Sequence, residues 1–155
     1  MTKAVKAIPE GYTSITPYII VKNASDAIEF YKKAFDAKEL HRMAGEDGKI
    51  MHAEIQIGNA RLMLADEFPE MKCFGPKTSG ETPVLICLYV NDVDHTFDAA
   101  VKAGATVVRP LKDQFYGDRI GWITCPFGHS WSIATRVEDL SHEEIAERAK
   151  TATCG

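Results

Sequence analysis

Residues 52–54, His-Ala-Glu, offer the most informative chemistry in the chain. They lie in the segment IMHAEIQI (residues 50–57), whose alternation reads as a β-strand, so a spacing of two sets His52 and Glu54 on one face. An imidazole beside a carboxylate suits proton transfer, a simple hydrogen-bonded couple, or part of a metal site. The other face, Met51, Ala53, Ile55 and Ile57, is apolar and must pack on a helix, which leaves the polar face to line solvent or a cavity. Two readings stand. In one, this is a solvated strand face with a His–Glu hydrogen bond. In the other, His52 and Glu54 are catalytic, as general base and orienting carboxylate, or form a non-standard metal site with Asp66.

A second cluster is Phe115-Tyr116-Gly117-Asp118-Arg119, running on to Trp122. Its plain reading is a tight turn with an Asp–Arg surface pair worth ~0–1 kcal/mol. Its functional reading sets Tyr116 and Arg119 at a cavity mouth, where the guanidinium grips a carboxylate or phosphate in bidentate fashion. His129 and Trp131 follow a Pro-Phe-Gly turn, and a lone aromatic in a strand is usually core.

Other motifs fall away on inspection. Gly75–Thr82 (GPKTSGET) mimics a phosphate-binding loop, but Glu81 stands where that loop needs lysine and would repel the phosphate. There is no G-x-G-x-x-G, H-E-x-x-H or G-x-S-x-G. Ser130 and Ser132 lie near His129 along one strand, where neighbours alternate faces and make no nucleophile–base pair.

The elements that must position these residues follow from a chain of 155 residues, 45% hydrophobic and 26% charged, as expected of an ordinary soluble globular protein. A formal net charge of −4 argues against nucleic acid as a partner, because a basic face supplies most of that affinity. No apolar run approaches the roughly 20 residues that span a bilayer, so no membrane partner is expected. The N-terminal lysines have no apolar segment behind them and do not read as a signal peptide. Cys73, Cys87, Cys125 and Cys154 are widely spaced without a C-x-x-C pair, which suggests reduced thiols and a cytoplasmic location.

Along the chain, SITPYIIVK (residues 14–22) reads as a buried strand, and NASDAIEFYKKAF as a helix capped by Asn23 with Ile28, Tyr31 and Phe35 inward. KELHRMAG, IMHAEIQI and ARLMLAD complete a βαβββ unit over about residues 14–66, with turns at Asp47-Gly48 and Gly58-Asn59. Residues 67–82 read as a loop. The order then recurs over about residues 83–135: VLICLYV, a helix capped at Asn91-Asp92 with Val93, Phe97, Ala100 and Val101 inward, Gly104 past its end, and three more strands. The halves overlay near an offset of 69–70, Val21 on Val90, Lys33 on Lys102 and Gly58 on Gly128. Residues 1–140 are expected to form a single domain, followed over 141–155 by a helix and tail. Ser141-x-x-Glu144 is a capping box for that helix, and Leu140 and Ile145 stand at staple spacing.

Two tandem βαβββ units ending in Pro-Phe-Gly-His-x-Trp resemble the vicinal oxygen chelate superfamily of glyoxalase I, bleomycin-resistance proteins and extradiol dioxygenases. TPYIIVKNASDAIEFYKKAF, GKIMHAEIQIG, LMLADEFPE and RPLKDQFYGDRIGWITCPFGHSW are most similar to its PhnB-like branch, over about residues 12–140. One departure is Asp36, at a helix end where glycine is usual. The resemblance implies an α+β fold in which two tandem βαβββ units form curved mixed sheets around a cavity, plus the C-terminal helix.

The resemblance also implies four metal-ligand positions on the first and last strands of the units. These fall here on Thr16, Leu62 (or Met63 if the register slips by one), Leu85 and Ser132, which lack the His and carboxylate donors of a divalent site. No metal or other cofactor is therefore expected, and metal-dependent isomerisation or ring cleavage gives way to metal-independent binding of a small organic or drug-like molecule. The alternative is an enzyme of lyase, isomerase or dioxygenase type using His52 and Glu54. The same parity turns Thr16, Tyr18, His52, Glu54, Gln56, Leu62, Leu64, Cys87, Tyr89 and Ser132 inward. Tyr18, Gln56, Tyr89, Tyr116, Arg119 and Trp122 are the expected ligand-binding residues. Exposed strand edges point to a homodimer.

Overall fold

The structure is a computed structural model that describes residues 4–77 and 79–152; Cys154 lies outside the described residues. The chain divides into two compact units, residues 1–77 and 78–155, and the second repeats the element order of the first. The fold is α+β: two open, four-stranded mixed sheets and three helices. No helix among the described residues is long and apolar enough to cross a membrane.

The first unit runs β1 (Tyr18–Val21), α1 (Ala24–Phe35), β2 (Lys38–Ala44), β3 (Ile50–Ile57) and β4 (Ala60–Asp66). Its strand order is β1-β4-β3-β2, with β1 parallel to β4 and the other pairs antiparallel. Asn23 caps α1 by accepting from the Asp26 N–H, and Ile28, Tyr31 and Phe35 are buried, as the periodicity predicts. The helix ends at Asp36 in the left-handed region, φ +55°, the conformation for which glycine is usual.

The helix side of this sheet is built from Ile19 and Val21, Ala53, Ile55 and Ile57, and Leu62 and Leu64. Leu62 and Leu64 therefore do not turn toward the open face as expected from parity. Leu62 pairs with Ile55 and Leu64 with Ala53, both buried, so Met63 and Arg61 are the β4 residues on the open side. Met51 also departs from the alternation: it is exposed, and Ile50 is buried in its place. The β2–β3 register steps from Met43↔His52 to Ala44↔Ile50, so Met51 is the extra residue of a β-bulge.

The second unit runs β5 (Leu85–Tyr89), α2 (Val93–Lys102), β6 (Thr106–Asp113), β7 (Asp118–Thr124) and β8 (Ser130–Arg136), in strand order β5-β8-β7-β6. Asp92 caps α2, and Val93, Phe97 and Ala100 are buried. Val101, expected to face inward, is 39% exposed, because the buried stripe is already complete one residue earlier. Phe97 lies over Gly121 of β7 so closely that a Cβ there would sit 2.5 Å from its ring. The last helix, α3 (His142–Ala149), has Ser141 Oγ accepting from the Glu144 N–H, half of the capping box. It buries no residue and is tied down instead by Arg148, which pairs with both Glu138 oxygens at 3.0 Å and donates to the Phe115 carbonyl.

One device recurs at the same place in both units. Asp66, the last residue of β4, is buried and accepts from the Ala24 N–H at 2.8 Å and the Ile50 N–H at 2.7 Å. Sixty-nine positions later, Thr135 Oγ1 accepts from the Val93 N–H at 2.9 Å and donates to the Val90 carbonyl at 2.7 Å. Each side chain fastens the start of the unit's helix to the strand beneath it. Hydrogen bonds to a charged acceptor are each worth about 1.5–3 kcal/mol. Asp66→Ala is therefore expected to lower stability by roughly 3 kcal/mol and Thr135→Val by roughly 1–2, read from urea-denaturation midpoints. An Asp66→Ala midpoint equal to wild type would refute the assignment.

Candidate functional site

The open face of the first sheet is set by the strand parity. Tyr18 on β1, Met63 on β4, and His52 and Glu54 on β3 stand in register on it, with His41 and Met43 opposite them on β2. The Asp66 bond to the Ile50 N–H and the bulge at Met51 fix β3 so that His52 and Glu54 point away from α1.

These side chains form a continuous chain of hydrogen bonds. Tyr18 Oη lies 2.9 Å from His52 Nδ1, and His52 Nε2 lies 3.0 Å from Glu54 Oε2. The other carboxylate oxygen, Oε1, accepts from the Tyr12 hydroxyl. A carboxylate only accepts, so Nε2 carries the proton; in a neutral ring Nδ1 is then an acceptor and the Tyr18 O–H donates to it. Burial lowers the His52 pKa, and the nearby His41 lowers it further, which keeps the ring neutral around pH 7. Burial, with Cys73 nearby, raises the Tyr18 pKa and keeps the phenol protonated. The His52 and Glu54 side chains are 24% and 22% exposed, so this is not a plain solvated strand face.

Tyr12 escaped sequence reading because it lies in the lead-in, where no periodicity points to a face. A turn closed by Tyr12 N–H to the Pro9 carbonyl brings it back, and its ring is covered by the Arg61 guanidinium at 4.9 Å. Glu54 thus accepts from both Tyr12 and His52, while Tyr18 bonds His52. Gln56 shares the face but donates to the Gly58 carbonyl at 3.1 Å and stays outside the chain.

On the second sheet, Tyr89, Trp122 and Ser132 lie on the face away from α2. Ser132 is buried and its hydroxyl has no hydrogen-bond partner among the described residues. The Tyr89 hydroxyl donates to Asp118 Oδ2 at 2.6 Å, which raises its pKa to about 12. Trp122 is stacked by the Arg109 guanidinium at 4.2 Å and lines a pocket of ≈ 250 Å³ with Leu85, Val108 and Ser130. Tyr116 sits in the β6–β7 turn, its ring edge-on to Phe115. Arg119 turns to the helix side of its sheet. It pairs across β7–β8 with Thr135, on the α2 side, and holds Asp94 at 2.9 Å and Asp113 at 3.2 Å, which raises its pKa. Acidic partners on α2 and β6, unseen from the turn motif, decide its direction.

The positions at which the resemblance implies a metal are Thr16, just before β1, Met63 rather than Leu62 on the open face, Leu85 and Ser132. Thr, Met, Leu and Ser do not make the donor set of a divalent ion. No group of three or more His, Cys, Asp or Glu side chains among the described residues is placed to hold one, and Asp66 is occupied by backbone N–H groups away from His52 and Glu54. The residues present do not fit the metal.

Comparisons with known proteins agree with this architecture. The sequence model of the Glyoxalase/Bleomycin resistance protein/Dioxygenase superfamily matches residues 12–133. An uncharacterized protein of Mycobacterium bovis is 47% identical over 135 residues, covering 85% of this chain and 89% of that one. Among solved structures, TioX from Micromonospora sp. ML1 matches with a TM-score of 0.64 at 24% identity, over 81% of this chain and 99% of its own. A Bacillus cereus PhnB protein, described as a putative 3-demethylubiquinone-9 3-methyltransferase, matches with a TM-score of 0.64 at 16% identity, over 79% and 99%. At such identities the two structures show the shared fold alone.

The lowered His52 pKa makes a prediction about stability. Between that depressed value and 6.5, the ordinary value regained on unfolding, the unfolded chain binds more protons than the folded one. Stability therefore rises with pH through this window and is lost as pH falls through it. The drop in urea midpoint from about pH 7 to about pH 5 is expected to be larger for wild type than for His52→Gln. Equal drops would contradict a half-buried, neutral His52.

Proposed function

The chain belongs to the glyoxalase/bleomycin resistance protein/dioxygenase superfamily, and from that premise we propose that it binds a small organic molecule, without a metal ion, on the open face of its first sheet. The observation that supports this reading is the chain Tyr12–Glu54–His52–Tyr18. Because Glu54 fixes the tautomer of His52, and the Tyr18 O–H donates to His52 Nδ1, the Tyr18 oxygen presents lone pairs rather than a hydrogen to the open face. It thus recognises a ligand that brings its own donor, a hydroxyl or an amine. Met43 and Met63 on the same face give an adaptable apolar bed for the rest of the molecule.

The neutral state of His52 favours a second reading, proton abstraction. Tyr18 takes a proton from a ligand hydroxyl as its own passes to His52 Nδ1. One O–H bond breaks in the ligand, one N–H bond forms on the imidazole, and Glu54 stabilises the imidazolium. Binding is the reading kept, since it asks no more of the site than the hydrogen bonds present. We also propose a homodimer: β2 and β6 are edge strands, and they expose Leu40, Val107 and Val108.

A thermal-shift screen of metabolites and antibiotics tests the binding reading. A ligand at 100 times its Kd adds about 2.7 kcal/mol of stability, well within detection. Hits are expected to bear hydroxyl or amine donors, to be insensitive to chelator, and to weaken about tenfold or more in Glu54→Gln, which keeps the shape of the side chain but removes its charge. Hits that need added divalent metal, or that bind Glu54→Gln as well as wild type, would end this reading. For the dimer, light scattering at micromolar concentration is expected to give twice the chain mass, and a monomer would refute it.

A further inference from the structure

Asp118 is a buried carboxylate without a counter-ion among the described residues. It opens β7, is 7% exposed, and accepts one side-chain hydrogen bond, from Tyr89. The two nearest arginines in sequence and register are committed elsewhere: Arg119 to Asp94 and Asp113, and Arg136, its partner across β7–β8, to Asp139 at 2.6 Å. Asp118 is left with no ion pair among the described residues. A neutral phenol fills one lone pair but does not balance the charge, and a carboxylate held away from water in this way is unfavourable unless a cation meets it.

The carboxylate lines a pocket of ≈ 460 Å³ with Tyr89, Tyr116, Arg136 and Ile145 of α3. Two aromatic rings beside a carboxylate suit a cation that is itself partly apolar, held by charge on one side and by ring faces on the other. A divalent metal is not matched here, since one carboxylate and two phenols leave most of its oxygen ligands missing. We propose that this pocket is a subsite for an organic ammonium ion, with Asp118 as its counter-ion and the Tyr89 and Tyr116 rings as its walls. Arg136 is the one like charge among the lining residues, and its pairing with the exposed Asp139 offsets it only in part. The subsite does not depend on the first-sheet reading, and its test uses none of that site's residues.

Calorimetric titration with phenethylammonium and with its neutral analogue 2-phenylethanol decides the matter. The ammonium is expected to bind at least about tenfold more tightly than the alcohol. Asp118→Asn, which keeps an acceptor for Tyr89, is expected to abolish that preference, and Asp98→Asn, at an exposed carboxylate of α2, to retain it. Equal affinities, no ammonium binding up to about 10 mM, or a preference that survives in Asp118→Asn would overturn the proposal. A second variant keeps the test open if Asp118→Asn fails to fold. Arg136→Gln, at a side chain 59% exposed, removes the like charge and is expected to tighten the ammonium several-fold while leaving the alcohol unchanged. An unchanged or weaker ammonium in that variant would also overturn it.

Discussion

The Asp66 carboxylate is the contact on which the first unit turns. By accepting from Ala24 and Ile50 it joins the start of α1, the start of β3 and the end of β4 at one buried point. A slip of one residue in β3 would exchange its two faces, setting His52 and Glu54 against α1 and Ala53 and Ile55 outside. Asp66 and the bulge at Met51 hold Ile50 inside at the point where that slip would begin. A structural acid at the edge of the core thus secures the placement of the polar side chains on the opposite face.

The second unit solves the same problem with a hydroxyl. Thr135 meets one donor at α2 and gives its own proton to the Val90 carbonyl, so no charge is buried. The difference follows from what must be held. Asp66 faces two N–H groups and needs two acceptors; Thr135 faces one N–H and one carbonyl, and a hydroxyl matches both. The two halves share a frame at an offset of 69 positions without sharing the atoms that secure it.

On the open faces the two units hold different chemistry. In the first, donors and acceptors alternate from Tyr12 through Glu54 and His52 to Tyr18, and each proton has one consistent position. The result is a rigid, neutral imidazole backed by a carboxylate, with a phenol oxygen as its outermost atom. In the second, a phenol meets a carboxylate directly, with no imidazole between them, and the negative charge stays at Asp118. The metal positions implied by the family resemblance hold Thr16, Met63, Leu85 and Ser132, so the polar chemistry of each sheet lies at other positions.

The sequence by itself determined the element order, the caps at Asn23, Asp92 and Ser141, the turn glycines and the face shared by His52 and Glu54, since all of these depend on neighbours within a few residues. The family resemblance, in turn, marked Asp36 as standing where glycine is usual, and the residue is left-handed there. Only the tertiary structure decided the rest. Tyr12 reaches Glu54 across 42 positions, and no local pattern marks that approach. Whether Leu62 or Met63 takes the open side of β4 depends on pairing with β3, and the exposure of Met51 depends on a bulge against β2. Arg119 turns toward α2 because Asp94 and Asp113 are there to receive it, which the turn motif around it does not record. Local periodicity fixes which residues share a face of one strand; which face meets a partner is settled by register and charge contributed from distant parts of the chain.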